Sequence, residues 1–157
     1  MFYIVYNNDL IYLNKMNLFI SIVITAYNEE NSILPAFLDI KKALIDLKLN
    51  YEIIIVNDSS KDKTQFEIDK ITSSNKKVVS ILNQYNCGPG KSFTNGVNKA
   101  KGDFVIWMPA DTEVKSMEYL KNIKLFKDYD LISFYHINPR SRSFLRYIIA
   151  STFTKIL

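Results

Sequence analysis

Four short β-branched runs, alternating with segments of helical periodicity, constrain this chain more than any other feature. Residues 20–25 (ISIVIT), 51–56 (YEIIIV), 78–82 (VVSIL) and 104–108 (FVIWM) are almost continuously apolar, as expected of strands buried on both faces. Residues 32–49, 64–73 and 91–101 read as the helices between them. In the first helix the apolar residues are Leu34, Phe37, Leu38, Leu44, Ile45 and Leu47, and Pro35 is tolerable in its first turn. Beyond the fourth strand the chain reads as a loop over 109–114, a helix over 116–126, a fifth strand over 131–135 and an apolar helix over 143–157. Such alternation implies an α/β fold: a mostly parallel sheet with helices on both faces. Ligands of these sheets bind at the carboxyl ends of the strands. That selects the loops 26–30, 57–62, 83–90 and 109–114.

Composition narrows the function classes. With 157 residues, 48% of them hydrophobic, the chain suits one domain with a real core. Cys87 is the only cysteine and His136 the only histidine, which excludes an internal disulfide and a Cys/His zinc site. Any metal must be held by oxygen. The net charge of +4 is carried by residues 131–157, where Arg140, Arg142, Arg146 and Lys155 meet no acid. The remainder is balanced, so no nucleic-acid partner is expected. The arginine cluster suits phosphate, since a guanidinium fork matches its oxygens.

No stretch reaches the ~18 apolar residues of a spanning helix. The opening MFYIVYNNDLIYLNKMN has no basic n-region or cleavage site, so residues 1–15 read as an N-terminal extension, either an appended edge strand or a start-site extension before Met16, rather than a signal peptide. Residues 16–140 then form the ligand-binding domain and 141–157 an amphipathic helix.

Gly88-Pro89-Gly90-Lys91-Ser92 resembles half a phosphate-binding P-loop, but Tyr85 stands where the full pattern needs glycine. The carboxylates are better placed. Glu29 and Glu30 follow the first strand, Asp58 the second, Asp111 and Glu113 the fourth. Glu30 and Asp62 read as helix caps. Acids gathered at one sheet edge repel unless a cation or hydrogen-bonding ligand lies between them. Asp111 and Glu113, two apart, could supply oxygen to Mg²⁺ or Mn²⁺, with substrate phosphates completing the shell.

VITAYNEE (23–30), VNDSSKDKT (56–64), NCGPGKSFTNGVNKAKGD (86–103) and PADTE (109–113) together resemble the inverting, GT-A fold, nucleotide-sugar glycosyltransferases of family 2. Among these they are most similar to the dolichol-phosphate mannose synthase-like, polyprenyl-phosphate sugar transferases. Four motifs in the family's order, each on the expected loop, make the resemblance specific; it covers roughly residues 18–147. It implies a Rossmann-like nucleotide-diphospho-sugar transferase fold. The nucleotide would then lie against Thr25, Tyr27, Glu29, Val56, Asp58, Pro109 and Ala110, with Asp58 on the base edge. Asp111 and Glu113 would hold the metal, and Asp111 and Arg140 would serve catalysis at the donor diphosphate. The resemblance further implies a UDP- or GDP-sugar donor, a polyprenyl (dolichyl or undecaprenyl) phosphate acceptor, and a peripheral place at the cytoplasmic face of a membrane.

The chain departs from the family pattern at three points. Thr25 replaces a usual proline, Asn57 the first Asp of VDDGS, and Pro109 the first Asp of Asp-x-Asp. Family members are longer, so the chain reads as a donor-binding part lacking most of an acceptor region. Pro109 and the short C-terminal part keep a second reading open: a non-catalytic nucleotide-binding domain or partner subunit.

Overall fold

The structure, a computed structural model, describes residues 18–111, 115–129 and 131–133. Four parallel strands form one sheet: β1 (Phe19–Ala26), β2 (Asn50–Asn57), β3 (Val78–Leu82) and β4 (Phe104–Pro109), in the order β3-β2-β1-β4. They are connected through α1 (Ile33–Asp46), α2 (Thr64–Ser73) and α3 (Pro89–Val97); α4 (Ser116–Leu120) and a 3₁₀ turn (Ile123–Lys127) follow β4. The expected α/β architecture is present. The chain moves outward from β1 to β3 and then crosses to β4, so the order reverses between β1 and β4, where doubly wound folds place their ligands.

The alternation of side chains across each strand divides the apolar residues between two cores. Ile20, Ile22 and Ile24 of β1, Ile53 and Ile55 of β2 and Met108 of β4 share the larger core with α1, α2 and Leu120 of α4. Val23, Ile54 and Val56 face the other way, against Phe93 of α3 and Ala100. Burying one such side chain is worth roughly 1.5–3 kcal/mol. At the amino end of the sheet the buried Glu52 carboxylate accepts from the Ser21 hydroxyl (2.7 Å) and the Lys101 N–H (2.6 Å), so its charge is not left unpartnered.

Several boundaries differ from the sequence reading. The inward stripe of α1 is Ile33, Ala36, Phe37, Ile40, Ala43 and Leu44, whereas Leu34, Leu38 and Ile45 are exposed. The helix stops early because Lys48 takes a left-handed conformation (φ 52°) and the Leu49 N–H returns to the Leu44 carbonyl at 3.0 Å. The helix expected over 116–126 is broken into α4 and the 3₁₀ turn, and α3 begins two residues earlier, at Pro89. Residues 131–133 belong to no strand. The rest of that expected strand, the extension 1–15 and the helix 143–157 lie outside the described residues.

Gly96 sets the seat of α3 on the sheet. A Cβ there would lie 2.3 Å from Val23 Cγ1, and Val23 is wholly buried. Gly96→Ala is therefore expected to lower stability by about 1–3 kcal/mol through overpacking. Adding Val23→Ala should give a double variant less destabilised than the two single losses combined. Urea unfolding of the three variants measures this, and simple additivity would refute the contact.

Candidate functional site

Strand register brings the sequence-selected residues into one line. Thr25 of β1 is opposite Val56 of β2 on one side and Pro109 of β4 on the other. These three positions, on adjacent strands, form the carboxyl rim at the topological reversal. Tyr27 continues from β1 and is 42% exposed, while Asp111 continues from β4 and is exposed. Val56 and Ala110 are buried, so neither offers its side chain to the rim surface. The Thr25 hydroxyl accepts the Trp107 indole N–H at 3.0 Å, and the Trp107 ring packs on Phe93 at 6.0 Å between centroids. A cleft of about 750 Å³ runs beside β4 and includes Pro109, Trp107 and Phe104 in its wall. Glu113 and Arg140 lie outside the described residues.

The loops after β1 and β2 are tied together. The Asn28 N–H donates to Ser60 Oγ (3.0 Å) and Asn28 Oδ1 accepts the Lys61 N–H (2.9 Å). The Glu29 N–H donates to Thr64 Oγ1 (2.7 Å), and the Glu29 carboxylate accepts from the Ser32 hydroxyl. The Glu30 N–H donates to Asp62 Oδ2 (3.1 Å). Glu30 Oε2 accepts the Lys63 N–H (2.9 Å) and Asp62 Oδ1 the Thr64 N–H (3.0 Å). Both acids therefore satisfy the otherwise unmet donors at the start of α2, where a negative charge is favoured. Burial works to raise the Asp62 pKa, but the Thr64 hydroxyl and the N–H donors of Thr64 and Glu30 outweigh it and hold it below the usual range.

Ser59, in the loop after β2, sits at φ 61°, a conformation that costs a residue with a Cβ roughly 1–2 kcal/mol. Ser59→Gly should raise the melting temperature by about 3 °C, as a gain near 1 kcal/mol does in a domain of this size. A lower melting temperature would show that the serine side chain contributes more than the strain costs.

Asp58 is 3% exposed, and its carboxylate is surrounded by donors. Oδ1 accepts from Asn83 Nδ2 (2.8 Å), the Cys87 N–H (3.0 Å) and the Cys87 thiol (3.1 Å), and Oδ2 from the Gly88 N–H (2.8 Å). Gly88, at φ 85°, precedes α3 and turns the loop so that its amide points inward. The backbone N–H groups of a P-loop cradle phosphate; here the corresponding donors hold a carboxylate of the chain itself. That is the structural outcome of the incomplete motif. Sequence reading selected the loop 83–90 but gave no role to Asn83, Ser92 or Asn95, which complete this network; the available signal was a polar residue directly after β3 and two polar residues three apart on α3.

A divalent cation is compatible with the described donors in a limited way. Asp111 offers a hard carboxylate oxygen, and Pro109 offers none. Among the described residues no three acidic, histidine or cysteine side chains are grouped to hold an ion. One carboxylate suits Mg²⁺ or Mn²⁺ when phosphates supply much of the shell.

Comparison with known proteins agrees with this fold. An uncharacterised glycosyltransferase of Synechocystis sp. is 30% identical over 144 residues, which cover 90% of this chain and 45% of that protein. The undecaprenyl-phosphate 4-deoxy-4-formamido-L-arabinose transferase of Aeromonas hydrophila is 35% identical over 116 residues (72% of this chain, 35% of that one). The dolichyl-phosphate β-glucosyltransferase of Dictyostelium discoideum is 35% identical over 119 residues (68% and 36%). The chain thus spans less than half the length of these relatives. Among solved structures, the Pyrobaculum calidifontis mannosyltransferase in complex with GDP-Man and Mn²⁺ has a TM-score of 0.63 over 82% of this chain and 38% of that one, at 16% identity, a likeness of fold. S. aureus TarS in complex with UDP-GlcNAc has a TM-score of 0.56 at 26% identity, over 69% of this chain and 31% of that one. The model of glycosyl transferase family 2 matches residues 21–155. With its motifs, its GT-A-like sheet and that match across most of its length, this chain belongs to glycosyl transferase family 2.

Proposed function

We propose that this chain is the donor-binding part of an inverting glycosyltransferase that moves a sugar from a UDP- or GDP-sugar to a polyprenyl phosphate. The observation that carries the reading is the rim itself: Thr25, Val56 and Pro109 in register at the β1/β4 reversal, with Tyr27 and Asp111 just beyond. In the proposed reaction an acceptor phosphate oxygen attacks the anomeric carbon as the bond to the donor diphosphate breaks, and the nucleoside diphosphate leaves. An ionised phosphate is already a nucleophile, so little help from a general base is needed. Tyr27 and Glu29 would flank the nucleotide and Asp58 would face the base edge. Asp111, with Glu113, would hold Mg²⁺ or Mn²⁺, and Arg140 would lie near the diphosphate. A bound cation supplies charge stabilisation to the leaving group.

The deciding experiment is titration of UDP and GDP with and without Mn²⁺, followed by an assay for sugar transfer to a polyprenyl phosphate. Metal-dependent binding with transfer supports the proposal. Binding without transfer supports the second reading, a non-catalytic nucleotide-binding domain or partner subunit, which Pro109 favours because it removes one carboxylate from the rim.

The same proposal places the chain at the cytoplasmic face of a membrane. No helix of the described residues is long and apolar enough to cross one. In the sequence, Leu145, Ile148, Ile149, Phe153 and Ile156 recur at helical spacing, flanked by Arg142, Arg146 and Lys155, a pattern suited to an anionic headgroup layer. The full chain should sediment with phosphatidylglycerol vesicles at low salt and detach as salt rises, and a chain ending at Asn138 should not sediment. Equal behaviour of the two would remove the membrane from the proposal.

A further inference from the structure

We infer that Asn83 is a positioning residue for nucleotide recognition, acting through Asp58 and held in place by Asn95. This rests on the proposed donor site and names a part of it that the motifs do not. Asn83 follows β3, where its N–H donates to the Asn57 carbonyl at 2.9 Å, and it is buried. Its Nδ2 donates to Asp58 Oδ1 (2.8 Å) and to Ser92 Oγ (2.9 Å), and its Oδ1 accepts from Asn95 Nδ2 (2.9 Å).

This chain of contacts gives the amide one orientation. An ionised carboxylate only accepts, so Asp58 must face the NH₂ side of Asn83. The Asn95 donor on the opposite side then fixes the oxygen, and a flip would set two donors against each other and an oxygen against a carboxylate. Ser92 is wholly buried and Asn95 half-buried, both on α3. Helix α3 is seated by the close approach of Gly96 to Val23. The aim of Asp58 is therefore referred in part to the α3–sheet contact, through Asn83, beside the Cys87 and Gly88 N–H groups that also hold the carboxylate. A recognition group works only when neighbouring hydrogen bonds hold it close to its productive geometry, so a loss made through Asp58 should be felt by the base and not by the diphosphate.

The test uses the full chain, the variants Asn83→Ala and Asn95→Ala, and three probes: UDP, GDP and inorganic pyrophosphate, which lacks a base. For whichever nucleotide the parent binds more tightly, affinity should fall about tenfold in Asn83→Ala and about threefold in Asn95→Ala. Pyrophosphate affinity should stay within twofold of the parent in both. A parallel loss for nucleotide and pyrophosphate would show a general structural role and overturn the inference. Unchanged nucleotide affinity in the folded variants would overturn it as well. If Asn83→Ala does not fold, Asn95→Ala decides, because it keeps the Asn83 and Asp58 side chains and removes only the contact that orients the Asn83 amide. A parent that binds neither nucleotide would sink the donor site itself and this inference with it; a parent that binds, with indifferent variants, sinks the inference alone.

Discussion

Asp58→Ala should lower folding stability by about 3–5 kcal/mol, a large part of the 5–15 kcal/mol that holds a typical domain. The carboxylate is the shared acceptor for the N–H groups of Cys87 and Gly88, the Cys87 thiol and the Asn83 amide. Its removal strands donors in a buried pocket, each costing about 1–3 kcal/mol, of which entering water recovers part. Urea unfolding should show a lower midpoint at an unchanged slope. The charge adds a pH signature. Burial pushes the Asp58 pKa up, but hydrogen bonds from the Cys87 backbone, Asn83, the Cys87 thiol and Ser92 outweigh it, and the folded value lies at about 2 against an ordinary 3.8. Because the folded value is the lower one, this stabilisation is complete above the ordinary pKa and is lost as pH falls from about 4 towards 2. It amounts to about 2 kcal/mol at 1.36 kcal/mol per unit. Asp58→Ala should lack that component of acid sensitivity, and its nucleotide affinity should fall by about 1–3 kcal/mol. A variant as stable as the parent at pH 7 would contradict the role given to the carboxylate.

The second large effect belongs to the end of β4. Asp111→Asn is expected to abolish any Mn²⁺ dependence of nucleotide binding while the thermal unfolding midpoint stays close to the parent's, since Asp111 is exposed. An amide keeps the shape and loses the charge that a hard cation needs. The complementary change is Pro109→Asp, which returns a carboxylate to the family's first Asp position and should tighten Mn²⁺ dependence about tenfold. Isothermal titration of UDP and GDP against a Mn²⁺ series reads both. Unchanged Mn²⁺ dependence in Asp111→Asn would move the cation elsewhere.

The parallel sheet is legible because strands covered on both faces are nearly uninterrupted in β-branched residues, as in ISIVIT and YEIIIV. Helix ends are less so. Lys48 adopts a conformation for which its residue type carries no signal, and the stop of α1 is visible only in the backbone. Apolar periodicity alone does not separate the faces of α1: Phe37, Leu44 and Leu47 are buried, whereas Leu34, Leu38 and Ile45 follow helical spacing equally well and are exposed. The rim was found because motif residues lie at strand ends, and parallel register then fixes their neighbours. Asn83, Ser92 and Asn95 escaped because their partners are 25, 9 and 12 positions away, and only the fold makes those separations short. The pairing of Glu30 with the start of α2, rather than with its own helix, was hidden in the same way.

The hydrogen bonds that tie Asn28, Glu29 and Glu30 to residues 60–64 have a consequence for how a ligand would be received. Ordering one loop residue costs roughly 1–2 kcal/mol of configurational entropy, and a floppy rim would owe that cost at each encounter. Here the two loops hold each other in one arrangement within the folded chain. Capture at such a rim should carry a smaller entropic penalty, and the backbone amides of residues 28–30, each already donating within the chain, are expected to exchange more slowly than open-loop amides in a hydrogen-exchange measurement on the free chain. On the side of these two loops, an incoming molecule then meets an outline already set by the chain's own hydrogen bonds.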